Sequence, residues 1–156
     1  MKMETKFTQL NEDWNAEPNS PVPEAIVNGR NLELTFYLNH FIFEQFEEEQ
    51  MGRIEFSNVT RYRLGRTNDE GWYRGQCRFS GIAPKWGEFY LIVGNSKMDE
   101  SPDDWIQIQE HDSKTNHYLF YLRDETFECE ATSWKFEPLK VERVSALNTE
   151  RLRPSP

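Results

Sequence analysis

The chain contains only two cysteines, Cys77 and Cys129. Each follows the apolar alternation of its own predicted strand, so we expect two buried thiols, because a free cysteine behaves as a small hydrophobe. A disulfide between them stays an open alternative, although nothing in the sequence indicates an oxidising compartment. We therefore expect a cytoplasmic protein.

Long apolar runs are also missing. No run approaches the roughly 20 residues of a membrane-spanning helix, and residues 1–6 have no apolar core behind their lysines, so a signal peptide is not expected. Basic residues are the minority charge, 18 against 27 acidic ones, and the net charge is −9. This total argues against non-specific binding to nucleic acid or to an anionic membrane surface.

Sequence motifs for cofactor, metal or covalent chemistry are absent as well. The three histidines, His40, His111 and His117, stand in no H-x-E, H-E-x-x-H or C-x-x-C pattern that would predict zinc. Residues 68–71 lack the alternating oxygen ligands and the closing glutamate of a calcium loop. We therefore predict no metal, no cofactor and no catalytic residue, and we favour a protein that is not an enzyme.

What the sequence has in abundance is apolar alternation of period two. Residues 32–38 read Leu-Glu-Leu-Thr-Phe-Tyr-Leu, a pattern that puts one set of side chains on each face of a half-buried strand. About eight or nine such segments predict an all-β fold, either an antiparallel sandwich or a partly open barrel. We predict one domain over residues 1–143, with residues 1–21 as an irregular arm packed on it through Trp14, and a frayed tail over residues 144–156.

Proline places one predicted strand at a sheet edge. Residues 22–27 follow Pro21 and contain Pro23, and proline cannot donate a hydrogen bond inside a central strand. Asn28 and Gly29 then predict a tight hairpin turn.

Further strands are predicted over residues 41–46, 53–62 and 72–79. The second of these should contain a β-bulge near Asn58 and Val59, where the inward residues change face. The predicted core consists of the inward apolar residues of the strands: Leu34, Phe36, Ile54, Phe56, Phe89, Leu91, Tyr118, Phe120, Phe127 and Cys129.

Positive charge is concentrated in the middle of the chain. Residues 53–85 hold seven basic and three acidic residues, a net +4 within a protein of net −9. Arginine interleaved with aromatic residues is typical of hot spots in protein interfaces and of stacking surfaces. The candidate binding residues are Arg61, Arg63, Trp72, Arg74 and Arg78. The alternative interpretation is a sheet face whose arginines pair with carboxylates on neighbouring strands.

An alternative site is predicted further along the chain. Strand alternation places Glu128 and Glu130 on one face, and a pair of carboxylates is what a glycosidase uses for acid and base catalysis. Any solvent-facing strand with alternating glutamates meets the same condition. Together with His117 these residues define a second candidate pocket, for a small hydrolase or for a ligand-holding β-barrel with an interior cavity.

Two segments of the chain resemble a known group of proteins. Residues 13–19, Asp-Trp-Asn-Ala-Glu-Pro-Asn, and residues 117–129, His-Tyr-Leu-Phe-Tyr-Leu-Arg-Asp-Glu-Thr-Phe-Glu-Cys, resemble short stretches of small uncharacterised bacterial β-rich proteins of unknown function. The resemblance implies a bacterial cytosolic protein and carries no activity and no site residue. Compact acidic bacterial β-proteins also include toxin-neutralising immunity proteins, which this chain matches in general character alone.

These observations predict a non-enzymatic binding or protein-interaction module. Its partner would be another protein or a second copy of the chain, bound through an edge strand or through the surface of arginines and aromatic residues. A membrane partner is not expected and nucleic acid is not favoured. The alternative is the hydrolase or ligand-holding barrel described above.

Overall fold

The computed structural model describes residues 5–66, 85–94 and 104–141. Within these ranges ten strands form two antiparallel sheets, and no helix occurs. The predicted all-β fold class is confirmed. In chain order the strands are β1 (Lys6–Gln9), β2 (Glu24–Asn28), β3 (Asn31–Tyr37), β4 (Met51–Ser57), β5 (Arg61–Arg66), β6 (Phe89–Val93), β7 (Ile106–Gln107), β8 (Asn116–Tyr121), β9 (Glu125–Ala131) and β10 (Ser133–Pro138).

The two sheets pack face to face as a sandwich. The larger sheet has the strand order β1-β6-β8-β9-β5-β7, and the smaller has the order β10-β4-β3-β2. The strands do not close into a barrel, so the sandwich form of the prediction describes the fold and the barrel form does not. Apolar side chains on the inner faces of both sheets build one shared core.

Strand alternation produces this core directly. In β3 every second residue is fully buried, and the register places Leu32 opposite Phe56 and Leu34 opposite Ile54 on β4. Because successive side chains of a strand point to opposite faces, one face of the small sheet is entirely apolar. Nine of the ten predicted core residues are buried, and Leu91 is partly buried against the same cluster.

Aromatic rings fill most of the space between the sheets. Trp14 is 4% exposed and stacks on Phe136, with ring centroids 4.0 Å apart and planes 2° from parallel. It also contacts the rings of Phe36, Phe89 and Phe120. Trp14 thereby anchors the N-terminal segment between the two sheets. Within that segment residues 6–9 form a regular strand, β1, where an irregular arm was expected.

The predicted bulge near Asn58 and Val59 is wrong, because the chain changes sheet at this point. Strand β4 ends at Ser57, and Asn58 adopts a φ of 53°. Asparagine tolerates this left-handed region better than most residues. The N–H of Val59 donates to the carbonyl of Arg30, and the chain then enters the large sheet as β5. The inward residues change face because the strand itself ends and a new one begins.

The strand predicted over residues 41–46 is also wrong, since this stretch consists of turns. The predicted edge strand is confirmed: β2 is the outermost strand of the small sheet. A two-residue turn joins it to β3, and positive φ within that turn is confined to Gly29, at 63°, as in a type II′ hairpin.

Several predictions fall on residues outside the described ranges. These are the strand over residues 72–79, Cys77 and the tail over residues 144–156. Cys129 is a free, fully buried thiol, and burial raises its pKa well above the ordinary value. In the described residues, no helix is long and apolar enough to cross a membrane.

A second apolar cluster lies on the outer face of the large sheet, formed by Tyr90, Ile92, Leu119 and Tyr121. Tyr90 is 1% exposed, and its hydroxyl donates to the backbone carbonyl of Lys85 and accepts from the N–H of the same residue. Burial, reinforced by the charge of Glu88, raises the pKa of Tyr90 from 10.0 to about 12. The folded protein therefore holds the Tyr90 proton more tightly than the unfolded chain does.

Replacement of Tyr90 by phenylalanine should reveal this effect in alkaline solution. A raised pKa in the folded state contributes stability that is complete below pH 10 and is lost as the pH rises towards 12. Below pH 10 we expect Tyr90→Phe to cost about 1 kcal/mol, from the lost hydroxyl bonds. In urea titrations the difference from the native protein should shrink as the pH passes 10 and reverse in sign before pH 12, because only the native protein loses this contribution. A difference that stays constant across this range would contradict the prediction.

Candidate functional site

The predicted arginines and the predicted carboxylates meet on the outer face of the large sheet. Strands β8, β9 and β5 are neighbours there. The register places Arg61 opposite Glu130 and Arg63 opposite Glu128, and it places His117 opposite Glu130 on the other side. Two candidate sites that the sequence suggested separately are therefore parts of one cluster, which we call the ion-pair cluster.

Glu128 is the centre of the ion-pair cluster. Its side chain is fully buried, and it is therefore not a solvent-facing glutamate. Its Oε2 accepts a hydrogen bond of 2.8 Å from Nη1 of Arg63, and its Oε1 lies 2.8 Å from Nε2 of His117. Both carboxylate oxygens are thus engaged by cationic or polar partners, as a buried charge requires.

Arg63 lies between two carboxylates. Its Nε and Nη2 donate to the two oxygens of Asp104 at 2.7 and 3.1 Å, while Nη1 donates to Glu128. Burial alone would lower the pKa of the guanidinium, but the hydrogen bonds and charges of Asp104 and Glu128 outweigh it, so the pKa is raised. Gly65 leaves the room for this side chain, because a Cβ there would collide with Nη2 of Arg63.

Arg61 and Glu130 form a second pair at the border of the cluster. The Nε and Nη2 of Arg61 lie 2.9 and 2.7 Å from Oε1 of Glu130, whose Oε2 accepts a hydrogen bond from the hydroxyl of Thr60. The guanidinium also lies 4.1 Å from the ring centre of Trp105, a cation–π contact. Here, too, the arginine charge is matched by a carboxylate beside it.

The ion pairs within the cluster limit the chemistry that its charged groups can perform. Arg61 and Arg63 form ion pairs with carboxylates of their own chain. This agrees with the alternative interpretation, a sheet face whose arginines pair with carboxylates on neighbouring strands. Glu128 has no exposed surface with which to reach a substrate. In the described ranges, no group of three or more His, Cys, Asp or Glu side chains is arranged to hold a metal ion.

Not every candidate residue can be placed in the ion-pair cluster. Trp72, Arg74 and Arg78 lie outside the described residues, and their proposed binding role stays a prediction. Conversely, the sequence did not identify Asp104 or Trp105 as members. Asp104 belongs to a polar loop without alternation and is 41 positions from Arg63, so no local pattern connects the two.

A different surface becomes apparent in the turns that replace the predicted strand over residues 41–46. Asn39 is buried, and its side-chain Oδ1 accepts hydrogen bonds from the N–H groups of Phe41 and Ile42 at 3.0 and 3.3 Å. Such a turn reverses the chain immediately after Leu38, a buried residue that follows β3. As a result Phe41 and Ile42 point outward and are 62% and 71% exposed.

Acidic residues follow these two apolar side chains along the chain, and Glu48 and Glu49 line one cleft together with Phe41. Glu44, Glu47, Glu48 and Glu49 are exposed, and residues 39–50 include no lysine or arginine. Within the described part of the chain, Glu44, Glu48 and Glu49 form no ion pair. We call residues 39–50 the acidic apolar loop.

The acidic apolar loop is held firmly although its tip is exposed. The backbone carbonyl of its last residue, Gln50, accepts a hydrogen bond from the N–H of Leu38. The side-chain amide of Gln50 donates a hydrogen bond to the carbonyl of Leu139. Gln45 donates to the carbonyl of Asp13. Two clefts of about 370 Å³ each flank the tip, one lined in part by Phe41 and the other by Ile42. Phe41 and Ile42 are therefore exposed on a hydrogen-bonded loop that borders two clefts.

Comparison with known proteins finds no family model, no curated protein and no solved structure that matches the chain.

Proposed function

We propose that the protein is a non-enzymatic interaction module that binds a basic partner protein through the acidic apolar loop. The observation that carries this proposal is the exposure of Phe41 and Ile42, at 62% and 71%, on a backbone that hydrogen bonds hold in place. Large apolar side chains that are adjacent and exposed to water mark a surface at which another molecule binds. The cytoplasmic location and bacterial source expected from the sequence remain predictions beside it.

The arrangement of this surface has the anatomy of a protein interface. Interfaces place an apolar or aromatic centre inside a polar rim, and a few central side chains supply most of the binding energy. Phe41 and Ile42 would form that centre, and the glutamates of the loop would form the rim. Because rim charges steer association and select partners by opposite charge, the complementary surface should be basic.

The ion-pair cluster supports recognition less well. Its arginines are already bound by carboxylates, so a partner would have to break intramolecular ion pairs before it could use them. Hydrolysis by His117 and Glu128 has less support for a related reason, since both oxygens of Glu128 are engaged and its surface is inaccessible. The cluster is better explained as a cross-link between β8, β9 and β5.

A variant of the loop tip tests the proposal. Phe41→Ser combined with Ile42→Ser should weaken binding of the captured partner about tenfold or more, the loss of one interface hot spot. The fold should be retained, because both side chains lie largely in solvent. The measurement is affinity capture from a cell lysate with mass spectrometry, followed by calorimetric titration of each captured protein.

Val93→Ser is the matched control, since Val93 is also apolar and 46% exposed but lies on β6, away from the loop. Support would consist of basic proteins that bind the native chain and the control, elute with salt and fail to bind the loop variant. Equal capture by the loop variant would overturn the proposal. If capture were lost instead in the variant that combines Arg74→Ala with Arg78→Ala, the binding surface would be the arginine-rich segment and the proposal for the loop would be wrong.

A further inference from the structure

The edge of strand β2 is unprotected in a way that the other sheet edges are not. Exposed edges usually carry lysine, proline or very short strands, which prevent pairing with another chain. Strand β10 carries Lys135, Glu137 and Pro138, β7 has only two residues, and β1 has four residues and begins with Lys6. β2 has five residues and a single charge at Glu24, and Pro23 precedes the strand without interrupting it. In the described residues nothing pairs with its outer side.

Hydrogen bonds around β3 show which backbone groups of β2 face the open edge. The N–H of Tyr37 donates to Pro21, on the β2 side, and the N–H of Leu38 donates to Gln50, on the β4 side. Backbone groups alternate in direction along a strand, so the odd-numbered residues of β3 bond to β2.

The partners of those odd-numbered residues are the even-numbered residues of β2, which therefore turn their N–H and C=O groups towards β3. Consistent with this direction, the hydroxyl of Thr35 lies 3.5 Å from the carbonyl oxygen of Glu24. The N–H and C=O groups of Ala25 and Val27 must then point away from the sheet, to the open edge. Those four groups are the ones that a further strand would engage.

We propose that β2 pairs antiparallel with β2 of a second copy of this chain, about a twofold axis that passes beside Ile26. In that register Ala25 of one copy lies opposite Val27 of the other, and each such pair exchanges two N–H···O bonds. The symmetric arrangement therefore satisfies all four open backbone groups of each strand. The two small sheets become one sheet of eight strands, through residues that do not belong to the acidic apolar loop.

The side chains of β2 are complementary to themselves in this register. Glu24 faces Asn28 of the second copy, so no like charges meet, and the turn that carries Arg30 of the second copy comes next to Glu24. Ile26 meets its own symmetry mate on the outer face. Ile26 and Val27 are 45% and 42% exposed in the single chain, and the pairing would cover both.

The size of the contact sets its expected strength. A five-residue strand with four intermolecular backbone bonds falls below the area of a standard stable interface. We therefore expect a reversible dimer whose share rises with protein concentration. Sedimentation velocity over a wide concentration series should show the native chain passing from monomer to dimer.

Charges placed on the twofold axis test the register itself. Ile26→Lys and Ile26→Glu should each abolish the dimer, because identical charges would then face each other across the axis. Mixing the two variants should restore a dimer that contains one chain of each. Val93→Lys is the matched control, since Val93 is 46% exposed and lies in the other sheet, and it should dimerise like the native chain.

Three outcomes would overturn the proposal. A native chain that stays monomeric at every concentration would show that the edge has no self-affinity. A dimer that survives in both charged variants would lie at another surface. Loss of the dimer in each variant without recovery in the mixture would exclude a twofold axis at Ile26. None of these results depends on whether the acidic apolar loop binds a basic partner.

Discussion

Glu128→Ala is expected to lower the free energy of unfolding by about 3 to 5 kcal/mol, measured by urea denaturation at neutral pH. Alanine would remove the carboxylate from between Arg63 and His117 and leave the guanidinium buried, with Asp104 as its remaining acidic partner among the described residues. The Asp104 side chain is 48% exposed, so it compensates for little of the lost charge. The cost is that of a buried charge deprived of its countercharge.

Two further variants separate this explanation from simple loss of side-chain volume. Glu130→Ala removes the partner of Arg61, whose side chain is 22% exposed and can be hydrated, so its cost should be clearly smaller. Arg63→Met combined with Glu128→Leu replaces a buried pair by apolar groups, which is often close to neutral. A double variant less stable than Glu128→Ala would contradict the role assigned to the ion-pair cluster.

Trp14→Ala should cost a similar amount, about 3 to 5 kcal/mol, because it removes a buried indole ring from the core. Trp14 contacts aromatic rings of both sheets, with Phe36 and Phe136 on one side and Phe89 and Phe120 on the other. The cavity left by alanine would therefore open between the sheets. Thermal and urea unfolding of the variant measure the loss.

Phe41→Ala is the control for this change, since it also truncates an aromatic ring but one that is 62% exposed. Its effect on stability should stay within about 0.5 kcal/mol. A loss from Trp14→Ala as small as the one expected for Phe41→Ala would contradict the role of Trp14 in anchoring the N-terminal segment to the core.

Strands that are half-buried were predictable from their pattern, and the places where the chain leaves that pattern were not. Apolar and mostly polar residues alternate over residues 32–38 because one face of β3 packs on the core. The strand can therefore be predicted from the sequence. Residues 41–46 contain the same kinds of residue, but the buried side chain of Asn39 captures two N–H groups and turns the chain. A side-chain hydrogen bond of this kind overrides strand propensity and has no periodic signature.

The candidate site was predictable in its parts and not in its assembly. Alternation correctly places Glu128 and Glu130 on one face, and likewise Arg61 and Arg63. Their pairing depends on β9 lying beside β5, and strand order is a property of the whole chain that a local pattern does not contain. Burial of Glu128 follows from that order, so the sequence alone made it look like a solvent-facing carboxylate.

The change of sheet at Asn58 has a consequence for how the molecule folds. The segment 51–66 pairs with the segment 125–138 on both sides of that corner, as β4 with β10 in one sheet and as β5 with β9 in the other. Hydrogen bonds continue across the bend, from Thr132 to Ser57 and from Thr60 to Glu130. The two sheets are therefore joined along a shared backbone seam as well as through side chains.

A seam of this kind makes the two layers interdependent. The pairing of β4 with β10 and the pairing of β5 with β9 involve the same two chain segments, so breaking one disturbs the other. Unfolding should therefore be a single cooperative transition. The seam joins positions about 70 apart in the chain, such as Arg61 and Glu130, which are separated by 69 residues. Because so long a loop must close before the seam forms, folding should be slow for a domain of this size, with closure of the seam as the late step.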